Sequence, residues 1–243
     1  MRRRVAVTGV GLVSPLGNDA RTSWENLLAG KSGVDFIVDF PTDKLRSDIA
    51  ASVKGFDVSP YLSPKEADIY GRVTHFSIAA AAEAIAQAGI NTEVRIDKTR
   101  VGCLMSTGMG SVDIFEEQIE KSRLRGPRAV SPYFVPGVMP NGAAALISMR
   151  YGLMGPSYSL ASACATGTHS IATCALLIEA GDADAMVAGG AEAATRLNTV
   201  AGFGNARALA KAVDGDPTKA SRPFDKKRSG FVMGEGAGAL VLE

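Results

Sequence analysis

The amino-acid sequence predicts a layered α/β fold, and three observations carry that expectation. Strand-like and helix-like runs alternate along the chain, the arrangement from which sheets covered by helices are built. Hydrophobic residues make up 46% of the 243 residues, ample for a packed core. Neither an internal repeat nor a low-complexity linker interrupts the pattern.

The strand-like runs fall at 4–8, 100–106, 157–162, 185–188 and 238–242. Helix-like runs lie between them at 22–29, 71–87, 111–121, 142–151, 166–180 and 200–208, with glycine or asparagine beyond several of their ends. Zones 34–61, 126–141 and 211–228 are loop-rich. The first strand opens a segment, MRRRVAVTGVGLVSPLG, that is basic and then apolar like a secretory leader. Glycines and Pro15 break its apolar run early, so it reads as strand then loop. From 165 to 180 the only charged residue is Glu179; a helix apolar or small all round needs cover on every side.

Composition excludes several function classes. Twenty-six Lys and Arg stand against 25 Asp and Glu, a net charge of +1 without charge blocks, which disfavours nucleic acid as a partner. No run approaches the roughly 18 apolar residues of a spanning helix, so no membrane role is expected. Three cysteines without a CxxC pair fit neither a disulfide framework nor a zinc site; no metal or cofactor is expected, and a working thiol belongs in the reducing cytoplasm.

Cys164 is the candidate nucleophile. It sits where the short strand 157–162 gives way to the helix beginning at Thr166, so a sharp turn would lift the thiol clear of the sheet. Ala163, Ala165 and Gly167 leave room for a substrate, and a helix N-terminus favours thiolate. Unpaired cysteines are more often small buried hydrophobes, and Cys103, inside RVGCLMS, and Cys174, inside HSIATCALLIEAG, read that way. Ile171, Cys174, Ala175 and Ile178 follow the spacing of a buried helical face.

Rival motifs are weaker. In TGVGLVSPLG, Ser14 stands where the third glycine of a dinucleotide fingerprint belongs, and a tight loop after a strand explains Gly9 and Gly11 better. Tyr61 and Lys65 have a reductase spacing, but Pro64 between them denies the pair one continuous helix. GEGAGA, 234–239, is read as close backbone packing before a strand.

Several ordered segments resemble the type II β-ketoacyl-acyl-carrier-protein synthases, the elongating condensing enzymes of fatty acid synthesis. They are RRRVAVTGVGLVSPLGND, SWENLLAGKSGVDFI, STGMGS, GPRAVSPYFVPGVMPNGAAALISMRYGLMGPS, SACATGTH, GDADAMVAGGAE and ASRPFDKKRSGFVMGEGAGALVLE, and they run from the N-terminus to Glu243. The resemblance implies a thiolase-like layered fold, one half of it, with a mixed five-stranded sheet flanked by helices. Residues 1–243 would be the N-terminal half of the domain, with the C-terminal half, which carries the family's catalytic histidines and lysine, absent. Neither His75 nor His169 matches a family catalytic position; His169 lies about one and a half turns past Cys164, poorly placed for a dyad.

By the resemblance, Cys164 accepts an acyl group from an acyl carrier protein, and a malonyl-carrier thioester decarboxylates and condenses with it to give a 3-oxoacyl thioester. Met109 and Phe134 match acyl-pocket positions, Phe134 reaching across a homodimer interface. Lys65, Arg128 and Arg207 match the basic patch on which the acidic carrier docks. Asp68, where relatives are often basic, and Ser229, where the family has Asp before GFV, depart from the pattern. Two alternatives stand beside this: a non-catalytic fragment or partner module lacking the histidines, and a degradative thiolase, which the run RPFDKKRSGFVMGEG disfavours.

Overall fold

Two glycines decide how the first strand is used. A Cβ on Gly9 would collide with the carbonyl oxygen of Ala84, and one on Gly11 with that of Ala80. The strand can therefore lie directly on a helix whose facing residues are alanines one turn apart. The computed structural model describes residues 3–90 and 96–243. In chain order its elements are β1 (Val7–Val13), α1 (Ala20–Leu28), β2 (Asp35–Phe36), β3 (Ile49–Ala50), α2 (Pro64–Ile69), α3 (Arg72–Ala88), β4 (Val101–Ser106), α4 (Val112–Arg125), α5 (Phe134–Val138), α6 (Gly142–Tyr151), α7 (Thr166–Ala180), β5 (Ala185–Glu192), α8 (Leu197–Asn205) and β6 (Gly236–Leu242).

The main sheet has the order β1-β6-β5-β4. β4 and β5 are parallel, while β6 runs antiparallel to both β5 and β1, so the sheet is mixed. β2 and β3 pair separately inside the zone read as loop. Helix α3 covers one face across β1, β6 and β5, with α6 beside it on β4; α7 covers β5 and β4 from the other face. The core lies under α3, where Phe76, Ile78 and Ile85 pack with Ala80, Ala81 and Ala84 against Val13, Val101, Val187 and Val241. Gly89 ends α3 in the left-handed conformation that a branched Cβ resists.

Several expectations are corrected in detail. The first strand covers Val7–Val13 rather than 4–8, so Gly9 and Gly11 are strand residues and not a loop. Of the run 157–162 only Ser157 bridges to the main sheet, to Cys103, while Ser162 bridges locally to Cys164, so the expected five-stranded sheet has four full strands and a one-bridge fifth. The main-chain ladder stops there because Leu160 N–H donates to the side-chain Oγ of Ser106, 3.1 Å away, instead of to a backbone carbonyl. Helix 200–208 occupies Leu197–Asn205 instead, and 111–121 continues to Arg125. Short helix α5 lies inside the zone 126–141 read as loop-rich, and α2, just beyond the zone 34–61, is an added helix that Ser63 starts with a reciprocal capping box to Glu66.

The free edge of β1 is closed by side chains from α3. Val10 N–H donates to Gln87 Oε1 at 2.6 Å and Leu12 N–H to Glu83 Oε2 at 3.0 Å. Glu83 also accepts from Ala20 N–H at the start of α1, so one carboxylate ties strand, helix and helix together. Edge amides satisfied this way are unavailable to another strand. A second carboxylate, Glu235, is buried before β6 and accepts from Arg72, Val53 N–H and Thr195 Oγ1. Paired and fully hydrogen-bonded, it joins four segments without leaving an orphan charge.

Candidate active site

The turn that carries Cys164 is held by its own hydroxyls. Ser162 N–H donates to Thr166 Oγ1 at 2.8 Å, and that hydroxyl donates to Ala163 O at 2.7 Å. Ser170 Oγ, one turn further along α7, donates to Ser106 Oγ at 2.7 Å and fastens the helix to the end of β4. Between these anchors Ala163 adopts φ 51°, a left-handed conformation that costs a residue with a Cβ about 1–2 kcal/mol. The reversal leaves Cys164 exposed just before α7, although the segment leading into it is an irregular stretch rather than the expected strand. Gly167 makes the close approach possible below it: a Cβ on Gly190 of β5 would stand 2.9 Å from Gly167 Cα.

The three thiols differ sharply in environment. Cys164 is exposed, whereas Cys103 and Cys174 are buried. Burial pushes the Cys103 thiol far above its ordinary range and the Cys174 thiol up to about 12. Neither can supply thiolate near neutrality. Cys164 instead borders an apolar cavity of about 1030 Å³ that opens between α7, α8 and the face of β1, β6 and β5 left free by α7. Met109, Ala163, Ile171, Phe203 and Phe231 share its wall. An exposed thiol just before the N-terminus of a helix, beside an apolar cavity, can attack an acyl carbonyl while the alkyl chain is sheltered from water.

Of the residues singled out from the sequence, Cys164 and Met109 are brought together in this cavity. Phe134 lies outside it, at the start of α5, with its ring edge-on to Phe115 at 5.5 Å between centroids. Lys65 on α2, Arg128 in the short turn Pro127–Ala129 and Arg207 after α8 are all exposed, on three separate elements. Asp68 is exposed on α2 alongside Lys65. His169 Nδ1 is hydrogen-bonded to Ser162 Oγ at 2.7 Å, and His75 Nε2 to Ala67 O at 3.1 Å. Each ring thus has one nitrogen engaged by a partner other than Cys164, and burial holds the His75 imidazole below its usual pKa.

Sequence reasoning missed Glu192, the last residue of β5. Its carboxylate accepts from Thr107 Oγ1 at 2.7 Å, Gly108 N–H at 3.0 Å and Met109 N–H at 3.4 Å. The signal available was one acidic side chain ending the otherwise uncharged strand AMVAGGAE. A strand terminus beside a glycine-rich loop is where such a side chain finds backbone donors.

The model of the β-ketoacyl synthase N-terminal domain matches residues 2–243. The chain belongs to the β-ketoacyl synthase family. It is 44% identical over 242 residues to 3-oxoacyl-[acyl-carrier-protein] synthase 2 of Vibrio cholerae, covering 100% of this chain and 58% of that protein. Among solved structures, a β-ketoacyl synthase from Burkholderia phymatum superposes with a TM-score of 0.88 at 32% identity, over 100% of this chain and 59% of the other. A ketosynthase in complex with its type II PKS acyl-carrier protein and bound to the hexaketide superposes with a TM-score of 0.87 at 27% identity, over 100% of this chain and 58% of the other. The thiolase-like layered fold expected from the resemblance is the fold found. The chain spans less than two thirds of the length of these synthases.

Proposed function

We propose that this chain carries the acyl-accepting part of a 3-oxoacyl-[acyl-carrier-protein] synthase that elongates fatty acids. The observation that carries the reading is the placement of Cys164: the exposed thiol among the three, on a strained turn at a helix N-terminus, bordering an apolar cavity. In the proposed reaction Cys164 Sγ attacks the carbonyl of an acyl-carrier thioester. A Cys–acyl bond forms as the bond to the carrier sulfur breaks, and the carrier thiol leaves. The backbone N–H of Cys164 stabilises the oxyanion. A malonyl-carrier thioester then loses CO2, and the resulting carbanion displaces the acyl group from Cys164 as 3-oxoacyl-carrier. Met109 contacts the alkyl chain, and Phe134 does so across the interface of a homodimer.

The carrier protein docks on Lys65, Arg128 and Arg207. Their exposure supports this, and so does the carrier–ketosynthase complex among the structural relatives. Asp68 beside Lys65 weakens the patch relative to a wholly basic one. The compartment is the cytoplasm; no helix among the described residues is long and apolar enough to cross a membrane. The rival reading, a non-catalytic partner module, draws on the engagement of both histidines elsewhere. Incubation with an octanoyl-carrier thioester followed by intact mass decides between them. One octanoyl adduct, missing in Cys164→Ala, is expected; a folded chain that stays unmodified would make it a non-catalytic module.

A further inference from the structure

One loop of the cavity wall is secured by a single carboxylate, and its hydrogen bonds are unusually concentrated there. Thr107 Oγ1, Gly108 N–H and Met109 N–H all donate to Glu192, and Thr107 Oγ1 in turn accepts from Gly110 N–H at 3.0 Å. No lysine or arginine pairs with Glu192 among the described residues, so the carboxylate serves the loop alone. It projects from a rigid place, the end of β5, where Glu192 is in register with Gly236 of β6. The loop is wedged: a Cβ on Gly108 would stand 2.9 Å from Glu192 Oε2 on one side and 3.3 Å from Ala163 O on the other. Ala163 is the strained residue just before Cys164, so the loop is pressed between the carboxylate and the nucleophile turn.

Met109 follows immediately and is 46% exposed into the cavity. Its unbranched thioether adapts to whatever space its backbone leaves, so backbone position decides how far it fills the cavity. We infer that Glu192 is a positioning residue which, by holding loop 107–109 against the Cys164 turn, sets which acyl lengths the cavity accepts. This rests on the condensing-enzyme reading. Removing the carboxylate leaves two amides and a hydroxyl without their acceptor, so the loop shifts and Met109 no longer occupies a fixed place.

The test uses the chain itself and two thiol probes, N-ethylmaleimide and N-dodecylmaleimide, with Cys164 adduct formation followed by intact mass. The readout is the ratio of the long-probe to the short-probe rate. Glu192→Ala is expected to change that ratio about fivefold, the size of one ordinary hydrogen bond. Glu192→Gln, which keeps one acceptor oxygen, falls between. In a Met109→Ala background the same Glu192→Ala change is expected to move the ratio less than about twofold, because its effect runs through Met109. A ratio unchanged in Glu192→Ala, or changed equally with and without Met109, would overturn the inference while leaving the nucleophile assignment intact. A wild-type chain that forms no Cys164 adduct would overturn that assignment and the inference with it. Should Glu192→Ala fail to fold, Glu192→Gln decides on the same criterion.

Discussion

At the scale of single residues, chemistry is allotted by burial. Cys103 and Cys174 are the same thiol as Cys164, yet burial keeps both protonated and only Cys164 faces solvent. This was legible in the sequence, because Cys174 repeats with the spacing of a buried face while Cys164 sits at a break between two patterns. The strain at Ala163 was not legible, since nothing about an alanine announces φ 51°. Ala163→Gly should therefore raise stability, by up to about 1 kcal/mol in urea unfolding, the left-handed penalty outweighing the added chain entropy. A loss of stability would show that the turn is not held in that conformation. His75 gives a pH signature. Burial lowers its folded pKa below the unfolded value of about 6.5, so the unfolded chain takes up the proton first. Stability from this group is present above about pH 6.5 and is lost as pH falls toward the folded pKa. In His75→Gln the slope of unfolding free energy between about pH 5 and 7 should flatten, and an unaltered slope would remove His75 as its source.

At the scale of elements, the β1–α3 contact shows what periodicity misses. Gly9 and Gly11 look like loop residues because glycine is poor in strands, but here they are what lets α3 rest on β1. The information lay in pairing them with Ala80 and Ala84, far away in sequence, and no local window contains both. Helices 142–151 and 166–180 were legible to the residue because glycine follows each and an apolar face runs through it. The run 157–162 looked like a strand but bonds through Ser106 Oγ, a tertiary choice its own residues do not encode. Gly11→Ala, which must drive a methyl into the Ala80 carbonyl, should cost about 3 kcal/mol by chemical denaturation. A cost near zero would mean that strand and helix are not in contact as described.

At the scale of the whole molecule, the two faces of the sheet are unequally covered. Helix α3 spans three strands, whereas α7 leaves the face of β1 and β6 open as the cavity floor, with Val10 of β1 exposed. Leu176 on the outer side of α7 is 59% exposed, on a helix whose sequence offers no charged face before Glu179. That lack of a solvent face was plain from residues 165–180; where the uncovered surface would lie was not, because it depends on how α7 sits on the sheet. Contiguous apolar surface of this kind binds hydrophobic dyes and promotes association. The chain should enhance 1-anilinonaphthalene-8-sulfonate fluorescence and associate with rising concentration, and Leu176→Lys should reduce both. A monomer indifferent to the dye would contradict the exposed face.

The account turns on the fold selecting one thiol of three and presenting it at the cavity. The most direct measurement is site-resolved maleimide labelling, by peptide mapping, of the native chain and of the chain in denaturant. The account predicts one labelled site, Cys164, in the native chain and all three cysteines labelled once it is unfolded. Native labelling at Cys103 or Cys174, or a Cys164 that reacts only after unfolding, would contradict it.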